Sequence, residues 1–111
     1  MYSKDELLCI NILESVNFII EFTDNYMDVE EFAKDRKSFD ATMMNFIVIG
    51  EMTTKLSDEF KDKYEDIEWQ KMYGFRNVLA HDYFGIDITA LWGIIKKYIP
   101  ELKVQMEKIL G

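Results

Sequence analysis

The chain has 111 residues, a net charge of -8 and a pI near 4.6, and hydrophobic residues make up 49% of it. This length suits a single domain, residues 1–111, with one core. The negative charge argues against capture of nucleic acid over a broad surface, because such binding depends on many lysine and arginine contacts to phosphate. An RNA substrate would bind at a local site, and a basic protein partner would also suit the acidic surface.

The cellular location can be inferred from the cysteine content and the hydrophobic runs. A single cysteine, Cys9, excludes an internal disulfide framework and suits a reducing compartment. No basic segment precedes an apolar one at the N-terminus, which argues against a secretory signal. The apolar run at residues 46–49 is far too short to cross a bilayer. We therefore expect a cytoplasmic protein without membrane contact.

The first half of the chain predicts two long helices separated by a short element. Apolar residues recur at helical spacing over residues 4–22, and Ser3 followed by Glu6 forms a capping-box pattern at the start of this first helix. Residues 28–35 predict one short helix or a turn. Residues 36–56 predict a second long helix with apolar residues on most of its faces, so we expect it to be central or to lie in an interface.

The second half predicts two further helices. The charged residues 58–68 indicate a solvated connection that could include a frayed turn, and a third long helix is expected from residue 69 to about residue 83. Asp87 suits the N-cap of the last helix, which Pro100 should kink rather than end. Since long alternating β-branched stretches are absent, we expect an all-α fold, a four- to five-helix up-down bundle.

The strongest chemical signal is the spacing of Arg76, His81 and Tyr83. Arginine grips phosphate with a fork of donors, and histidine moves protons near neutral pH, so this segment suggests phosphodiester chemistry. Arg76 and His81 are five residues apart and diverge by roughly 140° on an ideal helix. Either the helix ends near His81, or the histidine works with groups from elsewhere. Taken singly, each of these residues also has an ordinary structural explanation.

Two further candidates stay open at this point. Glu51 stands in an otherwise apolar helix, and it either pairs with Arg76 or points to solvent. Asn77 lies one turn before His81 and either orients the imidazole or faces solvent. One histidine and one cysteine without ligand-like spacing form no zinc site, and no glycine-rich phosphate loop is present, so we expect no metal and no cofactor.

The pattern Arg76, four residues, His81, one residue, Tyr83 resembles the signature of HepT-like toxins, a branch of the HEPN superfamily of small helical ribonucleases. The resemblance extends over nearly the whole chain and is most specific at residues 67–92, with a further match at residues 49–51. Glu68 departs from the family pattern, where a proline often stands. Met52 also departs, replacing an alanine that is common after Gly-Glu.

The resemblance implies a HEPN-type bundle that cuts RNA, such as tRNA or mRNA, without a metal, through attack of the ribose 2′-hydroxyl on the adjacent phosphate. By this analogy Arg76 holds the phosphate, His81 acts as general acid or base, and Asn77 helps to set the site. Related enzymes usually work as dimers, so the resemblance implies a homodimer. Two copies facing one cleft would also bring Arg76 and His81 together.

The resemblance also implies a partner for Tyr83. HepT-like toxins pair with a small nucleotidyltransferase antitoxin of MNT type, which attaches AMP to the tyrosine of this motif. Two other hypotheses remain. The first is a catalytically weak, nucleotide-binding HEPN domain that docks onto such a nucleotidyltransferase, which the acidic surface suits slightly better. The second is an unrelated helical scaffold, against which the intact motif argues.

Overall fold

The structure is a computed structural model that describes residues 1–81, 85 and 87–111, with the helical backbone described for residues 77–81. Within these ranges the regular structure is helical: α1 Lys4–Thr23, α2 Val29–Lys34, α3 Arg36–Lys55, α4 Asp58–Lys63, α5 Trp69–His81, α6 Ile88–Gly93, a π-helical segment Ile94–Tyr98 and α7 Ile99–Leu110. None of these helices has both the length and the hydrophobicity that crossing a bilayer demands. The predicted all-α bundle is confirmed.

Helix α3 is the centre of the bundle and packs against both α1 and α5, while α7 packs against α1. The start of α1 meets the end of α3, because the Ser57 backbone N–H donates to Asp5 Oδ1 at 2.9 Å and the Ser57 hydroxyl lies 2.7 Å from Asp5 Oδ2. These two helices are therefore antiparallel. The described residues place the second long helix in the centre, which is one of the two positions expected for it.

The core fills the space between these helices with large apolar side chains. Phe46 of α3 packs edge-on against Phe75 of α5, with ring centroids 5.0 Å apart, and Phe75 packs in the same way against Tyr98. The fully buried residues of the core include Ile12, Val16, Ile19, Met43, Ile49, Met72, Ile99, Leu102 and Met106. The aromatic contacts join α3, α5 and the π-helical segment, and they hold α5 against α3.

The helix starts follow from local capping. Ser3 and Glu6 form the predicted capping box, with each side chain accepting from the backbone N–H of the other residue. The Asp87 carboxylate accepts from the N–H groups of Thr89 and Ala90, as expected for an N-cap. These oxygens satisfy N–H groups that have no partner inside the helix.

The connection predicted at residues 58–68 is solvated in its first half, since none of residues 58–63 is buried, but these residues form a capped helix, α4, rather than a frayed turn. Ser57 caps this helix, since its hydroxyl oxygen accepts from the Phe60 N–H at 3.2 Å. Asp58 and Glu59 in the first turn complement the helix dipole. The following segment is also tied down, because the Trp69 indole donates to backbone carbonyl oxygens of residues 61 and 64.

The last helix continues past Pro100, and this agrees with the prediction that the proline would not end it. A proline ring removes the backbone N–H that would donate to the preceding turn. The π-helical segment Ile94–Tyr98 ends two residues before Pro100, and the Ile99 N–H donates to the Ile94 carbonyl oxygen, five residues back. Helix α7 then continues without a break, so a wider turn accommodates the proline.

Replacement of Tyr98 by phenylalanine tests the energetics of this core. The ring is 5% exposed, and its hydroxyl has no hydrogen-bond partner among the described residues. Burial raises the pKa of this hydroxyl well above its ordinary value of 10. At pH 7 we expect Tyr98→Phe to leave the free energy of unfolding unchanged or to raise it by up to about 1 kcal/mol, because an unpaired buried hydroxyl contributes nothing to offset its desolvation.

The pH dependence has a definite sign. Above pH 10 a tyrosine in the unfolded chain ionises while buried Tyr98 stays protonated, so the wild-type protein loses stability there and Tyr98→Phe loses less. Urea unfolding of both proteins at neutral pH and just above pH 10 measures the difference. A variant that is destabilised by more than about 1 kcal/mol at pH 7 would show that the hydroxyl is paired after all.

Candidate active site

Arg76 and Glu51 form an ion pair between α5 and α3. The Arg76 Nε atom lies 2.6 Å from Glu51 Oε1, and the two side chains are 40% and 41% exposed. The sequence left two alternatives for Glu51, pairing with Arg76 or pointing to solvent. In the structure Glu51 pairs with Arg76. Because both side chains reach the surface, the pair is accessible to a ligand in solution.

The position of Arg76 follows from its neighbour in the chain. Phe75 is 8% exposed and packs against Phe46, so this side of α5 faces the core. The next residue is rotated by roughly 100° about the helix axis. Arg76 consequently lies at the edge of the contact between α3 and α5, where its long side chain reaches solvent while its backbone stays against α3.

Gly50 lies where α3 touches the backbone of α5. A Cβ atom placed on Gly50 would be 2.6 Å from Arg76 Cβ and 2.9 Å from the Arg76 backbone nitrogen, closer than real atoms approach. This contact was not predicted from the sequence. A glycine inside an apolar helix was the available signal, since such a glycine often marks the close approach of another backbone.

Exposed apolar side chains accompany the ion pair on the same side of the bundle. Met44 precedes Glu51 by two helical turns and is 60% exposed, and Tyr73 precedes Arg76 by one turn and is 37% exposed. Residues spaced in this way share one side of a helix. We call the surface formed by Met44, Glu51, Tyr73 and Arg76 the α3–α5 face. It combines a charged pair with apolar surface suited to a contact.

Three predicted site residues have side chains outside the described residues. The backbones of Asn77 and His81 belong to α5, and Tyr83 lies outside the described residues. On one helix, positions five residues apart are separated by about 7.5 Å along the axis and by roughly 140° around it. The roles of Asn77, His81 and Tyr83 therefore remain predictions.

The described part of the site is suited to binding an anion. An arginine that is engaged through Nε still carries two terminal amino groups, which can bind a phosphate end-on. Glu51 orients the guanidinium group but also places a negative charge beside it, so a single phosphate is favoured less strongly than at an unpaired arginine. This arrangement favours orientation of a phosphate over tight capture.

Comparison with known proteins assigns the chain to a family. Residues 12–109 match the family model described as Ribonuclease HepT-like. The chain belongs to the HepT-like family. The resemblance that the Arg76–Tyr83 spacing indicated is thus confirmed at the level of the family.

Proteins of similar length are similar to this HepT-like chain over most of their sequence. The protein "Putative RNase MJ1380" of Methanocaldococcus jannaschii is 38% identical, over 87% of this chain and 88% of its own. The "Putative RNase TTE0752" of Caldanaerobacter subterraneus subsp. tengcongensis is 35% identical over 90% and 88%. The "Probable ribonuclease HepT" of Thermococcus cleftensis is 35% identical over 89% of both chains. No solved structure matches the chain significantly.

Proposed function

We propose that this HepT-like chain is a metal-independent endoribonuclease of the HEPN type and the toxin of a cytoplasmic toxin–antitoxin pair. The observation that carries the proposal is the family match, which covers residues 12–109 and includes Arg76 and His81. The names of the relatives point to the same chemistry, since they describe ribonucleases. The candidate substrates are tRNA and mRNA.

The proposed reaction is an internal transesterification of RNA. A base removes the proton from a ribose 2′-hydroxyl, and the resulting oxygen attacks the adjacent phosphorus. The bond from phosphorus to the 5′-oxygen breaks, and an acid protonates the departing oxygen. The products are a 2′,3′-cyclic phosphate and a 5′-hydroxyl. His81 serves as the acid or the base, since imidazole exchanges protons near neutral pH.

Arg76 stabilises the negative charge that grows on the phosphate during this reaction. The contact of Arg76 with Glu51, at 2.6 Å, supports this role because a guanidinium that is already oriented needs little rearrangement when the phosphate arrives. Asn77 follows Arg76 directly and helps to set the site. A metal ion is not required, because arginine supplies the charge and histidine supplies the proton transfer.

The active form that we propose is a homodimer joined through the α3–α5 face. Met44 and Tyr73 expose apolar surface beside the ion pair, and a second copy of the chain would cover it. A two-fold axis near Arg76 would place the motifs of both chains around one cleft. This arrangement would let Arg76 of one chain act with His81 of the other, which removes the difficulty of their separation around one helix.

The proposed antitoxin is a nucleotidyltransferase of MNT type that transfers AMP to the Tyr83 hydroxyl. Tyr83 is two residues beyond His81, so an adenylyl group there would lie close to the cleft. The added phosphate would repel the RNA backbone, and the nucleotide would obstruct access. Modification would thus inactivate the ribonuclease without unfolding it.

A second function is favoured by the net charge of -8. An acidic chain repels RNA and attracts a basic partner, which suits a catalytically weak, nucleotide-binding domain that docks onto the nucleotidyltransferase. This function and the ribonuclease differ in one observable, namely whether RNA is cut in a manner that depends on His81.

Cleavage of RNA in the presence of EDTA tests the proposed function. Purified wild-type protein, His81→Ala and Arg76→Ala are incubated with total RNA and with tRNA, and the ends of the fragments are analysed. We expect cleavage by the wild type alone, with 2′,3′-cyclic phosphate ends, and a loss of at least about 100-fold in both variants because each lacks a group that acts in the transition state.

Mass spectrometry of the wild-type protein is the control, because an adenylyl group on Tyr83 would mask the activity. If unmodified wild-type protein leaves RNA intact, the docking domain replaces the ribonuclease as the proposed function. If His81→Ala cuts as well as the wild type, the cleavage comes from a different site or from a contaminant.

The mass of the protein in solution tests the dimer. We expect the wild type to elute with twice the chain mass of 13.2 kDa, and Met44→Lys to shift towards the monomer because a charge would be buried in the contact. Met27→Lys is the matched control, since Met27 is 92% exposed and lies between α1 and α2. Light scattering after size exclusion gives the masses. A wild-type monomer, or a Met44→Lys dimer, would contradict the proposed contact.

A further inference from the structure

Gly50 determines how deeply α5 lies against α3 at Arg76. The Cβ atom that any other residue would carry at this position would lie 2.6 Å from Arg76 Cβ, 2.9 Å from its backbone nitrogen and 3.2 Å from its Cα. These atoms belong to the α5 backbone and to the first side-chain atom, so no rotation of a flexible side chain relieves the overlap. A side chain at position 50 would therefore push α5 away from α3.

Glu51, the next residue of α3, holds the other end of the same arginine. Its Oε1 atom lies 2.6 Å from Arg76 Nε. Two successive residues of α3 thus contact Arg76 at its backbone and at its guanidinium group. An arginine side chain has several rotatable bonds, and contacts at both ends restrict them together.

We propose that Gly50 and Glu51 are positioning residues that fix Arg76 for contact with the scissile phosphate. Gly50 sets the position of the Arg76 backbone, and Glu51 sets the direction of the guanidinium group. This inference rests on the proposed ribonuclease function, and it adds that the active geometry of Arg76 is determined by α3 rather than by α5 alone.

If the Glu51–Arg76 ion pair served only to stabilise the fold, its loss would show in stability rather than in turnover. The ion pair is about two-fifths exposed on both sides, and surface pairs of this kind contribute little to stability. Loss of Glu51 should therefore leave the melting temperature almost unchanged. Any large loss of turnover in a folded Glu51→Gln protein then reports on the orientation of Arg76 rather than on folding.

The kinetic test compares Gly50→Ala and Glu51→Gln with Gly74→Ala. Gly74 is the matched control because it lies on α5 two residues before Arg76, and a Cβ atom there meets nothing within 4 Å. Cleavage of RNA is measured at a temperature where circular dichroism shows every variant folded. We expect kcat to fall about 10- to 100-fold in both test variants, since small misplacements of a reacting group have effects of this size.

The Michaelis constant separates positioning from binding. Glu51→Gln removes a negative charge beside the phosphate, so we expect KM to stay the same or to fall while kcat falls. Gly74→Ala should keep the wild-type kcat. If folded Gly50→Ala and Glu51→Gln both keep the wild-type kcat, the proposal is overturned. If Gly50→Ala does not fold, Glu51→Gln alone decides.

A second measurement does not depend on activity. The chain has two arginines, Arg36 and Arg76, so nitrogen-15 spectra contain two Nε–H resonances, and Arg36→Lys assigns them. We expect the Nε-bound proton of Arg76 to exchange slowly with water in the wild type and in Gly74→Ala. In Gly50→Ala and in Glu51→Gln the Arg76 resonance should shift and its proton should exchange faster with water, because the ion pair is broken or misaligned.

The two measurements separate the failure of this inference from the failure of the proposed function. A wild-type protein that leaves RNA intact, but whose Arg76 resonance responds to both substitutions, would refute the ribonuclease and retain the positioning of Arg76. A wild-type protein that cuts RNA, with an Arg76 resonance unaffected by both substitutions, would retain the ribonuclease and overturn the positioning.

Discussion

The contact between α3 and α5 at Gly50 is the constraint on which the candidate site depends. Because Gly50 has no side chain, the α5 backbone can lie against α3 at Arg76. A Cβ atom at position 50 would lie only 2.6 Å from the Arg76 Cβ atom. The aromatic pair of Phe46 and Phe75 holds the same two helices together from inside the core. A buried contact thus fixes the backbone of a residue whose side chain lies at the surface.

Under the proposed function, this arrangement would let an acidic protein act on RNA. The net charge of -8 gives no general attraction for phosphate, so recognition must come from a few groups held in the correct geometry. In the proposed function Arg76, which pairs with Glu51 at the edge of the α3–α5 face, is such a group. A chain that attracts RNA only weakly, but carries a well-oriented arginine, is better suited to acting on one phosphate than to holding RNA tightly.

The accuracy of prediction from the sequence followed the range of the interactions. Ser3 and Asp87 cap their helices through neighbours two or three residues away, and both caps were predicted correctly. Helix α4 was missed because the charged residues after Ser57 suggested a solvated loop, although they also suit a short capped helix. The contact of Gly50 with Arg76 joins residues that are distant in the chain. A glycine inside an apolar helix signals the close approach of another backbone, but no local pattern identifies Arg76 as the partner.

The most direct test of the account is the cleavage of one RNA oligonucleotide in two forms. An oligonucleotide that the protein cuts in EDTA is compared with the same sequence carrying a 2′-O-methyl group at the nucleotide before the cut. We expect the methyl group to abolish cleavage at that position, because the attacking hydroxyl is gone. Cleavage of both forms at equal rates, or fragments ending in a 5′-phosphate, would contradict the account.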